Sequence, residues 1–523
     1  MHTHTRSRRE FLQQVGRGML VAGVGATTAF DLGLAPALAG DGPAPLTFGP
    51  KEPLVRLLQD TAPDKLLPLI VAKLKSGLEL RELVAAAALA NARTFGGEDY
   101  IGFHTMMALV PSYEMAKELP GSQQALPVLK VLYRNTNRCQ EHGGHGSEVL
   151  HQLSSNAALA GDANEFALRE AIRNKDLPGA EQILARSLSS SPLDGFNQLL
   201  PAIEDCFDVH RTVMPHRAWQ LIDLVGQENA ETMMRQSVHY CVSLEKNQKF
   251  VEMCQPARDV LASVLDQHRL ASKPLGTRTA DDATLDALSQ TIFKATPAQA
   301  AEAAAAALAE GFSLATVAEA LSLAGNQLVL RDSGRRANQT SKGKPEGSVH
   351  GDSIGVHACD TLNAWRNMAQ IANPRNAAAC LIMGAYQVAR DRSARGEDFA
   401  NWQPYPLVEH YTKLRGTTAP DLLQEANAAI RENDQARACA AVARYSETGQ
   451  SARPVFDLML QYAISEDGAL HAEKFYRTVT EEFAATRPAF RWRQLLALAR
   501  VTASEYGHPA PGYAEAKGLL GVS

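Results

Sequence analysis

Histidine is the residue type on which any chemistry of this chain turns. Thirteen of its fifteen histidines lie beyond residue 39, and three of them occupy matching places in similar stretches. Ile101-Gly102-Phe103-His104 answers Ile354-Gly355-Val356-His357. Asp208-Val209-His210, followed by Ala218-Trp219, parallels Gly355-Val356-His357, followed by Ala364-Trp365, with one residue of slack. If the three stretches are related by approximate symmetry, His104, His210 and His357 converge near one axis, as residues distant in sequence do in helical bundles. Imidazole suits iron, copper, nickel and zinc, so three convergent rings predict a transition-metal site (Fe, Cu or Zn) with an open position. A non-covalent haem is the other cofactor such rings serve. The plainer alternative is that each histidine packs or caps its own helix.

Two further clusters are candidate catalytic groups. Glu141-His142-Gly143-Gly144-His145-Gly146 puts His142 and His145 on either side of a Gly-Gly, close enough to bend toward one ligand, with Glu148 and His151 beyond. Loop residues bind more often than they pack, although an exposed polar loop reads the same way. Val349-His350-Gly351-Asp352 stands at the mouth of the helix carrying His357. The His142/His145 and His350 loops are expected to gate or complete the histidine site. Asp360, three residues past His357, lies on the same helical face and is placed to ligate or orient that imidazole. Trp219 and Trp365 fall at helical spacing and read as core.

Other chemistries are missing from the sequence. It has no G-x-S-x-G elbow, no phosphate-binding G-x-x-x-x-G-K-[ST] loop, no H-E-x-x-H and no dinucleotide fingerprint. The seven cysteines include no C-x-x-C pair and no C-x-x-C-H, which removes zinc ribbons, thioredoxin-type sites and covalent haem. They read as buried small hydrophobes, with a disulfide or two left open.

The elements that must position the histidines are helices. Of 523 residues, 45% are hydrophobic but only 6% aromatic, with alanine runs throughout, which favours helix over sheet. Leu74 to Ala90 matches Leu308 to Ala324 without a gap at Leu74/Leu308, Gly77/Gly311, Leu80/Leu314, Ala86/Ala320, Leu89/Leu323 and Ala90/Ala324. The Ile-Gly-x-His blocks follow in the same order, and the stretch around His210 makes a weaker third copy. The expected fold is all-α: an internally duplicated helical-repeat domain, compact rather than an extended solenoid. The halves are expected over residues 40–205 and 301–523, with a middle repeat over 206–300 and a closing helix pair at the C-terminus. Helices are also predicted over 166–188, interrupted at Pro178-Gly179, and over 424–443, 472–483 and 491–506. Cys139 to Glu148 and Arg331 to Ser353 break the helical pattern. A formal charge of -5 argues against nucleic acid, and no apolar run past the N-terminus is long enough to span a membrane stably.

Residues 1–39 read as an address. Ser7-Arg8-Arg9-Glu10-Phe11-Leu12 fits the twin-arginine export consensus, followed by an apolar stretch from Met19 to Ala29 and Ala37-Leu38-Ala39 as a cleavage site. The translocase of that route is therefore the expected partner during export, and the periplasm or exterior the expected location. With Gly77 to Ala90, the Ile-Gly-x-His repeat and the closing Phe490-Arg491-Trp492-Arg493 and Ala499 to Gly507 segments, the chain resembles a bacterial family of exported helical proteins. More remotely, helices with a histidine near their start are similar to questin oxidase-like helical proteins. The reading that follows is an exported metalloprotein, an oxidoreductase acting on a small molecule. The alternative is a non-catalytic helical binding or scaffold protein.

Overall fold

The computed structural model describes residues 44–153 and 164–522; the export signal predicted for residues 1–39 lies outside them. The chain is all-α. Among the described residues 73% are helical, in 23 α-helices and short 3-10 turns, and β-structure is confined to isolated bridges. Two units are distinguished. In the small one, Pro45 and His151 form a bridge and the Gln152 amide donates to the Ala44 carbonyl. The large one holds residues 46–150 and 155–523.

Seven helices of the large unit carry the functional argument: α1 (Leu80–Phe95), α2 (Tyr100–Lys117), α3 (Val209–Val225), α4 (Leu314–Leu330), α5 (Ile354–Ile371), α6 (His471–Ala485) and α7 (Trp492–Glu505). Most start at a residue chosen for it. Asp99, Asp208 and Ser353 cap α2, α3 and α5 by accepting first-turn amides on their side-chain oxygens. α1 is buried without a break from Leu83 to Phe95, and α4 from Thr316 to Leu330 except at Glu319. Buried on nearly every side, these two form the inner wall against which α2 and α5 pack.

Each of the two matched sequence blocks starts a helix. Gly77 and Gly311 both take positive φ, at 105° and 92°, and α1 and α4 begin three residues later at Leu80 and Leu314. Gly102 and Gly355 hold equivalent places in the first turns of α2 and α5. A β-carbon on Gly102 would meet the Phe95 ring at 2.5 Å, and one on Gly355 would meet the Leu328 backbone at 2.7 Å. Each glycine brings its helix against the preceding one two residues before a histidine. The connectors differ, residues 96–99 in one block and 331–353 in the other. The stretch around His210 keeps a different register: His210 lies two residues past its cap, His357 four and His104 five.

Some predicted boundaries move. The break expected at Pro178-Gly179 falls at 174–176, because Pro178 sits in the first turn of a new helix capped by Asp176, where a missing amide costs nothing. The helix expected over 424–443 is two, parted at Asn433, whose φ is 55°. The helix Ala125–His142 runs into the segment expected to be loop from Cys139, and a short 3-10 turn over Gly144–Ser147 follows.

Buried arginines fasten the ends of these helices. Arg93 reaches Glu52, Gln59 and the Leu46 carbonyl, and Arg211 joins Glu245 to the Ala202 carbonyl. Arg500 of α7 donates to the carbonyls of Val329, Leu330 and Asp332, neutralising the orphan acceptors at the end of α4.

Gly355→Ala is expected to destabilise the fold by about 2 kcal/mol, since its methyl would press on backbone that cannot rotate away. Gly518→Ala, on an open helix face with nothing within 4 Å, should be neutral or slightly stabilising. Denaturant midpoints of the two variants check the difference.

Candidate functional site

Four helices pack in a closed cycle, α2 on α3, α3 on α5, α5 on α6 and α6 on α2. Each contributes one histidine from its first or second turn. The structure brings His104, His210 and His357 together, and adds His471, the first residue of α6. The rings fall into two close pairs. His104 and His210 approach through their Nε2 atoms at 3.2 Å, and His357 and His471 through theirs at 3.0 Å. Ring centroids around the cycle are 4.7 Å (104–210), 6.2 Å (210–357), 5.1 Å (357–471) and 5.4 Å (471–104) apart.

The outer face of two rings is fixed by backbone. The Nδ1–H of His104 donates to the Tyr100 carbonyl at 2.7 Å, and that of His471 to the Gly468 carbonyl at 3.2 Å. A carbonyl only accepts, so each neutral ring must carry its lone pair on Nε2, facing inward. In the ligand-free protein His210 and His357 then supply the Nε2–H that bonds each pair. His210 is held differently: Asp208 accepts its backbone amide at 3.0 Å and the Tyr240 hydroxyl at 2.9 Å, while the ring Nδ1 stays 3.8 Å from that carboxylate.

Three of the rings are held neutral by burial. Burial holds the imidazoles of His104 and His471 well below the ordinary histidine range, reinforced by the nearby Lys474 ammonium. Burial takes His210 down to about 4, with Asp208 opposing. Phe103, Tyr240 and Tyr100 close over the first pair, and Tyr100, 62% exposed with its ring 4.4 Å from that of His104, marks the side nearest solvent.

The candidate catalytic residues are not brought together. His145 lies at the surface with its Nδ1 2.7 Å from Asp60, and His142 ends its helix edge-on to Phe95 at 5.4 Å. These contacts tie them to the helix Glu52–Asp60 and to α1. His350 is buried with no hydrogen-bond partner for Nε2 among the described residues, and burial takes it down to about 4. Its neighbour Gly351 does touch the site, since a β-carbon there would meet the His471 β-carbon at 2.4 Å. Asp360, expected to ligate or orient His357, instead accepts the Thr478 hydroxyl at 2.8 Å. Trp365 is buried core as expected, and Trp219 packs on Phe196.

Among the described residues no group of three or more His, Cys, Asp or Glu is set to hold a metal ion as it stands, and none of the helices is long and apolar enough to cross a membrane. The expected triad is a quartet, resolved into two pairs by its own N–H···N bonds. Surface clefts of about 460 and 620 Å³ beside Tyr113 and Pro53 include none of the four histidines. No known protein family, curated protein or solved structure matches the chain.

His471 had one available signal. Like the other three it stands at the start of a long helix, but it lies outside the three matched stretches.

In metal-free protein, His210 is expected to gain its proton with a midpoint near pH 4, so its ring stays neutral from pH 7 down to about 5. Imidazole ¹⁵N shifts followed across that range check this; a midpoint near that of free histidine would contradict the buried placement.

Proposed function

We propose that this chain is an exported metalloprotein whose functional centre is the quartet His104, His210, His357 and His471, holding one first-row transition ion. The observation that supports it most is the orientation of His104 and His471, whose Nδ1–H groups are taken by backbone carbonyls so that Nε2 lone pairs point inward. Metal-bound histidines are fixed in that way. Spacing agrees: four imidazoles around one ion at about 2.0–2.1 Å leave neighbouring nitrogens about 3.4 Å apart and centroids about 5 Å apart. The quartet has 3.0 and 3.2 Å between paired nitrogens and 4.7–6.2 Å between centroids. Converting two pairs into one shell would require the pairs to shift and the Nε2 protons of His210 and His357 to move to their Nδ1 atoms, freeing all four Nε2 lone pairs for the ion.

The donor set favours iron, copper or zinc over magnesium or calcium, which prefer oxygen ligands. Of these, iron and copper supply the redox chemistry of the oxidoreductase reading. The pair separations leave no slot for a porphyrin plane between the rings, so a bare ion is preferred to haem.

Metal-free protein reloaded with Fe(II), Cu(II) or Zn(II), dialysed and analysed for metal, is expected to retain one ion per chain. Alanine at any one of the four positions should weaken retention by about 100-fold or more, because even an outer-shell partner is worth about 10–100-fold. Alanine at His145, His268 or His410 should leave it unchanged. Stable protein that retains none of the three ions would overturn the reading in favour of a binding or scaffold role.

Export through the twin-arginine route is part of the same proposal. Lys lacks the planar fork of Arg, so replacing Arg8 and Arg9 with Lys is expected to leave uncleaved precursor in the cytoplasm, visible by fractionation and immunoblot.

A further inference from the structure

Two cysteines far apart in the sequence have their sulfur atoms in contact. Cys206 stands three residues before α3, and Cys254 lies on the helix Gln248–Gln267, 48 residues further along the chain. Their Sγ atoms are 2.8 Å apart. Unbonded sulfurs normally rest farther from one another, and a bonded pair lies at about 2.05 Å, so less than an ångström separates this contact from a bond. All seven cysteines are buried, yet among the described residues this is the one contact between two sulfurs. Cys439, by contrast, gives its thiol proton to the Leu496 carbonyl at 3.3 Å.

The surroundings hold the two sulfurs opposite one another. Arg258, one turn past Cys254, donates through Nε to the carbonyl of Asp205, the residue before Cys206, at 3.0 Å. Its other arm meets Glu245 at 2.7 Å, and Arg211 in the first turn of α3 meets the same carboxylate at 2.9 Å. The two segments are thus already tied together beside the cysteines. The thiols themselves are unequal. The Cys206 thiol beside it holds Cys254 below the ordinary thiol range, and the Arg211 and Arg258 charges and the Phe207 amide act the same way. Burial pushes Cys206 well above that range. An exchange reaction uses such a difference, since the thiolate attacks first and the other thiol follows.

We propose that Cys206 and Cys254 form a disulfide in the mature protein, anchoring the chain just ahead of α3 and His210 to the helix Gln248–Gln267. Formation takes two exchanges. The Cys254 thiolate attacks one sulfur of an external disulfide, whose other sulfur leaves as thiolate. The Cys206 thiol then loses its proton, attacks the Cys254 sulfur and expels the second thiolate. One S–S bond forms and one breaks; the cysteines give up two electrons, and their two protons end on the two external thiols. Both sulfurs are buried, so the exchange belongs to folding or to a moment when the helix has lifted, and the finished bond is shielded from reductant. The bond closes a loop that holds all of α3, which limits the unfolded chain and so favours the folded one.

Neither the metal nor export enters the test, so its outcome stands apart from both readings. Full-length protein purified with reductant is incubated with excess glutathione disulfide in dilute urea, which lets the helix lift. It is then quenched in acid, denatured and alkylated with iodoacetamide. The intact mass should show five adducts, the seven cysteines less the bonded two. Protease digestion without reductant should yield the Cys206 and Cys254 peptides joined, and Cys206→Ser or Cys254→Ser should each abolish that joined peptide. Oxidised wild type should unfold at a higher urea concentration than reduced wild type, while Cys254→Ser should unfold at the same concentration after either treatment. Circular dichroism checks that each variant is folded; if a Ser variant is not, the adduct count and the joined peptide of the wild type decide. Seven adducts on the treated wild type, a bond joining any other two cysteines, or equal urea midpoints for its oxidised and reduced forms would overturn the proposal.

Discussion

Burying four imidazoles at the point where four helices begin is the constraint around which the large unit is arranged. A buried ring nitrogen without a partner costs on the order of a few kcal/mol, so every inward nitrogen needs one. Here the partners are the Tyr100 and Gly468 carbonyls on the outside and the rings themselves on the inside. That arrangement requires the helix starts to be placed to within a fraction of an ångström. Gly102 and Gly355 serve this by removing the side chain where α2 and α5 press on α1 and α4, and Gly351 by letting a loop lie against the α6 histidine. The inner helices are buried almost all round because they are the wall behind this construction.

The segment 331–353 shows how a long connector is held in place. Arg500 ties its beginning to the end of α4, Asp352 bonds Arg335 and Lys344 within it, and the Val349 and Gly351 amides donate to Ser504 and Glu505. These contacts run to α7 or back into the loop itself, and further ones reach Arg395, Gln435 and His508. The loop thus delivers α5 to the site at a set height, the role that a four-residue turn plays for α2.

Much of this was legible in the sequence, and the reasons for the gaps are physical. His104 and His357 stood out because a glycine two residues before a helical histidine recurs with the whole block. His210 could be found by its Asp cap and downstream tryptophan, even though its register differs. His471 could not, since its context, Ala469-Leu470-His471, is shared with nothing else, and both Ala469 and Leu470 take positive φ that no apolar residue advertises. Lys474 looks like an ordinary surface charge in a one-dimensional reading, because burial depends on what packs against a helix rather than on its own sequence. His142 and His145 erred the other way. A Gly-Gly flanked by histidines resembles a binding loop, but Gly143 and Gly144 supply the positive φ that ends a helix, and His145 finds a surface carboxylate. The Asn433 break was hidden for the same local reason: an asparagine in a left-handed turn is indistinguishable by composition from one on a helix face.

The quartet draws one side chain from each quarter of the large unit, so it has no partial form. A fragment ending before residue 471 lacks a corner, and a chain whose last helices are undocked parts His357 from His471. Closure of such a site belongs to the end of folding, after the most distant segments have met, since the entropy of joining remote stretches is paid before their contacts repay it. Under the proposed metal reading, an ion bound there would act as a keystone, its binding energy adding to the stability of the whole unit rather than of one neighbourhood.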